Sequence, residues 1–174
     1  MNMKKIFCII GLLIVTNVVT FAQQKVAYVD TDYILAQIPE YKKAQEELNK
    51  ASTEWQKEIE SKYEEIHKMR NAYEAEQILL TDDMKKKREA DITDRENEVR
   101  ELQKKRFGID GELFRKRQEL VKPIQDKVYN AIKAVATKGG YAIVFDKASS
   151  LTMLYTSEKL DKSDAVLKQL GYIK

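Results

Sequence analysis

The chain has one cysteine, one histidine, one tryptophan and two prolines in 174 residues. Each scarcity excludes something. A lone cysteine cannot form an internal disulfide or a cysteine-based metal cluster. A lone histidine, His67, sits in a run of charged residues and reads as a solvated surface side chain, not as a base or a ligand. No G-x-x-x-x-G-K-[ST] loop is present, so nucleotide binding has no motif. The many carboxylates fall without metal-ligand spacing. We therefore expect no enzyme, no cofactor and no metal.

Long apolar runs are also scarce, with one exception at the N-terminus. Met1 to Lys5 carries two lysines and no acid, Ile6 to Val19 is almost wholly apolar, and Thr20-Phe21-Ala22 supplies small residues for a cleavage site. That order is the signature of a secretory signal peptide, expected over residues 1–22. The run is short for a membrane span of about 20 residues, and polar Gln23-Gln24-Lys25 follows it. Cleavage would remove Cys8, the only cysteine, together with Lys4 and Lys5. The 31 basic side chains then become 29, against 28 acidic ones. A chain so nearly neutral does not suit bulk nucleic-acid binding.

Glycine is missing where charge is densest. From Thr31 to Lys138 only Gly108 and Gly111 occur, which is helical composition. Leu48, Ala51, Trp55, Ile59, Lys62, Ile66, Met69 and Tyr73 recur at spacings of three and four. Ile92, Arg95, Val99, Leu102, Arg106, Ile109, Leu113, Leu120 and Ile124 repeat nearly the same pattern. Two narrow seams flanked by charge predict an antiparallel coiled-coil pair, not a globular helix face. Leu80-Thr81-Asp82-Asp83 supplies the turn: Thr81 can cap a helix, and the two aspartates suit its positive end. Pro39 and Pro123 lie symmetrically about position 81, which places them together at the foot of the arm. The same fold sets Tyr41 opposite Val121, Leu48 opposite Phe114, Trp55 opposite Phe107 and Tyr63 opposite Val99. Gly108 and Gly111 would lie within the descending helix, either making room for the Trp55 indole or softening the arm.

The predicted organisation is thus a signal peptide at 1–22, a β-containing oligomerisation body from 23–38 and 124–174, and a coiled-coil hairpin arm over 39–123 with its tip near 80–84. The class is mostly α with a small β base. Lys25–Asp30, Tyr141–Phe145 and Leu151–Tyr155 read as strands, the last two as a hairpin. Ser163 can cap a final helix that Gly171 stops. Three short strands and one short helix make too small a core, and they leave open edges. Self-association through Val26, Tyr28, Ile143, Phe145 and Leu154 is the expected remedy.

Charge adds two expectations. Residues 40–66 hold eight acids and five bases, and residues 104–122 hold seven bases and three acids. In a hairpin these stretches face and attract each other. The run Lys85-Lys86-Lys87-Arg88, just past the tip, is the candidate for outside contact with a client or an anionic surface.

Residues 26–48, V-A-Y-V-D-T-D-Y-I-L-A-Q-I-P-E-Y-K-K-A-Q-E-E-L, and 123–146, P-I-Q-D-K-V-Y-N-A-I-K-A-V-A-T-K-G-G-Y-A-I-V-F-D, resemble the Skp/OmpH family of periplasmic chaperones. L-Y-T at 154–156 and L-D-K-S-D-A-V-L-K-Q-L at 160–170 fit as well, so the resemblance spans essentially the whole exported chain. It implies a jellyfish-like homotrimer whose arms enclose unfolded outer-membrane proteins in the periplasm, as an ATP-independent holdase. Better-known members are strongly basic and this chain is not. No lipopolysaccharide site is therefore carried over, although lipopolysaccharide or an anionic membrane surface stays a candidate partner of the 85–88 run. A structural adaptor coiled coil with a fixed folded partner would explain the same seam and charge density.

Overall fold

Two strands too short to fold alone are brought together here by everything that lies between them. The computed structural model describes residues 24–149 and 153–173. Strand β1 (Lys25–Val29) is followed by helix α1 (Thr31–Ala36), whose N-terminus is capped by the Asp30 carboxylate accepting from the Tyr33 N–H at 2.9 Å. Pro39 opens α2 (Pro39–Glu76), at a position where its missing N–H costs nothing. A helix of 38 residues rises about 57 Å. The chain turns through 77–81, and Thr81 caps α3 (Asp82–Phe107) by accepting from the Met84 N–H. The descending side continues through α4 (Glu112–Leu120) and α5 (Lys122–Gly139). Gly140, at φ 65°, ends α5 in the left-handed conformation. Strand β2 (Tyr141–Asp146), a short 3-10 turn at Glu158–Leu160, and α6 (Ser163–Leu170) complete the base.

The two strands pair in parallel, with Val26 beside Ile143 and Tyr28 beside Phe145. A parallel pair needs a long crossover, and here the whole arm serves as that crossover. One sheet face packs on helices: Val29, Ile34, Leu35, Ile38, Val128, Ala131, Val166 and Leu167 form a buried cluster, with Val144 against it. The protomer therefore has a core of its own, which the reading of three strands and one short helix underestimated because it left α1 and α5 out of the accounting.

The arm is the expected antiparallel pair. Ile59 and Ile66 of α2 bury against Ile92 and Val99 of α3, flanked by Met69, Tyr73, Leu102 and Phe107. Lower down, Ala44, Leu48 and Val121 are buried with Tyr41, Leu113, Leu120 and Ile124. Trp55 meets Phe107 edge to face at 6.2 Å, as the fold at Thr81 predicts. Leu113 and not Phe114 enters the cluster around Leu48, and Phe114 stays exposed.

Three expectations change. The hairpin partner of β2 is absent among the described residues: Met153–Tyr155 forms no strand, and Leu151 and Thr152 lie outside them. The signal segment 1–22 also lies outside the described residues. Ser163 does not cap α6. It is the first residue of that helix, it is buried, and its hydroxyl accepts from the Asp30 N–H at 2.9 Å. That bond ties the end of β1 to the last helix. Finally, Gly108 and Gly111 do not lie inside a helix. They bound a break between α3 and α4.

Candidate functional site: the arm and the open face of the base

The features that carry the functional expectations are surfaces. Among the described residues no group of His, Cys, Asp and Glu is arranged to hold a metal ion, and no helix is long and apolar enough to cross a membrane. Two surfaces carry the functional expectations.

The first is the outer face of the sheet. Residues paired in a parallel register share a face, so Val26, Tyr28, Ile143 and Phe145 lie side by side, opposite the helix-covered face. Val26 is 39% exposed, Ile143 49% and Phe145 38%. These are β-branched and aromatic side chains left facing water. Tyr28 differs, being buried within the protomer at 6%, where an isolated bridge joins it to Asp161. Leu154 is almost fully exposed and belongs to no strand, so within one chain it does not join the other four.

The second surface is the arm. Its helices are held by charge as well as by the seam. Arg106 Nη2 on α3 donates to Glu58 Oε2 on α2 at 3.1 Å, and Lys116 on α4 pairs with Glu47 on α2. Nearer the tip, Arg70 pairs with Glu96, and the Tyr73 hydroxyl donates to Glu89. In the lower arm the acids of α2 thus face bases of the descending side, and nearer the tip the polarity of the Arg70–Glu96 pair is reversed. Lys85, Lys86, Lys87 and Arg88 stand in the first turns of α3, one residue after Asp82 and Asp83. Arg88 reaches back across the turn to Glu76 at 3.6 Å. At the turn itself Ile78 and Leu79 point into solvent, an apolar tip that attention to the basic run alone passed over.

At the mid-height break charged and aromatic side chains cluster around Arg106. The guanidinium of Arg106 lies over the Trp55 ring, 4.9 Å from its centroid. Its other terminal nitrogen donates to Glu112, the first residue of α4, and Lys105 stands 3.6 Å from the same carboxylate. The hydrogen bond from Arg106 holds the Glu112 carboxyl below the ordinary range, and burial opposes that shift. The sequence reading counted Arg106 as a seam position and missed this role. The signal available was the acid of α2 facing the bases of 104–106.

A small α/β base carrying one long helical hairpin, with apolar side chains exposed on one sheet face, defines an arm-bearing protein of the architecture that the sequence resemblance implies. The model of the family "Outer membrane protein (OmpH-like)" matches residues 25–170, and the chain belongs to that family. An uncharacterised protein of Aquifex aeolicus is 32% identical over 144 residues, covering 83% of this chain and 84% of the relative. Chaperone protein Skp of Pectobacterium atrosepticum is 26% identical over 175 residues, covering 97% of this chain and 99% of its own. An OmpH-like protein of Caulobacter crescentus shares the fold with a TM-score of 0.63 at 14% identity, over 86% of this chain and 85% of its own. The Skp/OmpH resemblance read from the sequence is therefore borne out.

Proposed function

We propose that this chain is an ATP-independent periplasmic holdase that keeps unfolded outer-membrane proteins from aggregating. The observation that carries the reading is the pairing of a slender projecting arm with an apolar, uncovered sheet face on the base. That face suits self-association, and three copies joined there would set their arms around a shared space. The chaperone names of two full-length relatives and the family match support the client class. The signal-peptide pattern of residues 1–22 supports the compartment. A holdase needs no nucleotide, because it acts by binding the unfolded state and not the native one.

The test is refolding of a urea-denatured outer-membrane barrel protein by dilution, without nucleotide, with the purified chain at one oligomer per client. Suppressed light scattering is expected. Unchanged scattering, together with stoichiometric capture of one folded envelope protein, would replace this reading with the structural adaptor.

A further inference from the structure

The seam of the upper arm leaves a groove along one of its flanks. Where α2 and α3 lie side by side, three clefts follow one another from the level of Gln56 to that of Gln77. They are continuous: Tyr63 lines the first and the second, and Arg70 and Glu96 line the second and the third. On α2 the groove residues Gln56, Glu60, Tyr63, His67, Arg70 and Glu74 recur at spacings of three and four, so they share one face of the helix. The floor is apolar, because Ile59, Ile66 and Ile92 belong to the buried seam. Tyr63 and Phe107 wall the first cleft, and Tyr73 walls the last. The other flank of the seam carries the Arg106–Glu58 pair instead.

Length and chemistry select one kind of occupant for this groove. Gln56 and Gln77 are about 32 Å apart along the helix. A segment that spans an outer membrane as a β-strand has about 9–11 residues, which is about 30–36 Å when extended. Such strands alternate apolar and polar side chains, and that pattern suits an apolar floor below a polar rim. The extended backbone also brings N–H and C=O groups that need partners. The Tyr63 hydroxyl and the amides of Gln56 and Gln103 stand in the first cleft without a hydrogen-bond partner among the described residues. They can serve that backbone while the clefts take its side chains. A third helix fits less well. It is about 10–12 Å across, and it would have to push aside Arg70, which pairs with Glu96 across the groove and whose side chain is 54% exposed. A single extended chain is about half as wide.

We propose that the groove from Gln56 to Gln77 is a client-binding site, in which each arm receives one extended segment of about ten residues with alternating apolar and polar side chains. The inference rests on the holdase reading and adds to it the surface used and the kind of segment held. It also sets which flank of the arm faces the shared space of the assembly. The clefts recur every seven residues of α2, or about 10 Å, whereas same-face side chains of an extended chain recur about every 7 Å. No one register fills all three clefts, so the groove holds many sequences loosely and selects for alternation, not for a motif.

The probe is a soluble fluorescent peptide of about ten residues in which Val, Leu or Tyr alternates with Ser or Thr. Anisotropy with the purified full chain should show saturable binding. A peptide of the same composition, permuted to the apolar period of a helix, should bind about tenfold more weakly. Tyr63→Glu should weaken the alternating peptide about tenfold. Glu65→Gln should leave it unchanged, because Glu65 lies near Arg95 on the other flank. Circular dichroism should be the same for both variants. Should Tyr63→Glu unfold the arm, Gln103→Glu, at an exposed position on the facing wall, must weaken binding in its place. A photo-crosslinker at position 103 should also join a denatured outer-membrane barrel protein through its strand segments, and one at position 65 should not. Absence of saturable binding, equal or tighter binding of the helical permutation, or equal crosslinking from both flanks overturns the proposal. Aggregation suppressed in the refolding assay despite such a result would leave the holdase reading standing without the groove. Peptide binding without suppression would do the reverse.

Discussion

At the scale of single residues, stability and electrostatics sit in different places. The base is held by side chains with no water contact, and Leu167 is the clearest case, fully buried between α6 and its neighbours. Leu167→Ala removes apolar contact and leaves a cavity, which costs about 2–5 kcal/mol. Urea unfolding followed by far-ultraviolet circular dichroism should show that loss as a lower midpoint with an unchanged slope. The arm depends instead on partly exposed charge. The Glu112 carboxyl is held below its ordinary value of 4.5 by the hydrogen bond from Arg106. A group whose folded value is depressed contributes stability that is present above its unfolded value and is lost as pH falls through the folded one. The arm should therefore loosen at mid-height in acid, at a pH below the ordinary carboxylate range. Trp55, the only tryptophan and a direct neighbour of Arg106, reports it. Its emission should change in that acid range, and Glu112→Gln should remove much of the change; an identical acid transition in that variant would show that other groups drive it.

At the scale of elements, the hairpin was legible because its causes are local and periodic. A seam at spacings of three and four, one capped turn and two prolines at matching heights suffice to place α2 against α3. The Trp55–Phe107 contact followed from counting alone. The break at Gly108–Gly111 was not legible, because the apolar spacing runs on through Ile109, and a residue that fits a stripe looks the same whether its helix continues or stops. Only coordinates reveal that Ile109 faces solvent and that the glycines face their own backbone. The uncovered sheet face was half legible: alternation put Val26, Ile143 and Phe145 together, but it could not show that Asp161 pairs beside Tyr28 or that Leu154 stands apart. The two kinds of glycine separate cleanly under substitution. At Gly111 the backbone is extended and open to any residue, so alanine would gain about 0.4–1 kcal/mol from a stiffer unfolded chain. Its Cβ would nevertheless press within 3 Å of three backbone atoms, and such crowding costs about 1–3 kcal/mol. Crowding wins, and Gly111→Ala should lower the thermal midpoint. At Gly140 nothing crowds the Cβ, and the cost comes from the left-handed backbone alone. An unchanged midpoint in Gly111→Ala would mean that the break between α3 and α4 relaxes around the added Cβ.

At the scale of the whole molecule, one protomer solves only half of its packing. Helices cover one face of the two-stranded sheet, and three large apolar side chains remain on the other. Two strands with one face wet are marginal, yet this pair is anchored by α1, α5 and α6, so the protomer fold does not depend on filling the open face. That asymmetry makes assembly separable from folding. Ile143→Lys combined with Phe145→Lys places two cations on the open face and none in the helix-packed core. Native mass measurement should show the doubly substituted protein as single chains, with circular dichroism still reporting a folded arm and base. In the refolding assay the same variant should lose most of its suppression of client aggregation, because separate arms enclose no shared space. A variant that keeps the native mass of the parent would remove the open face as the assembly surface. One that becomes a single chain and still suppresses aggregation fully would move client binding to the individual arm, with its exposed tip at Ile78 and Leu79 as the next surface to substitute.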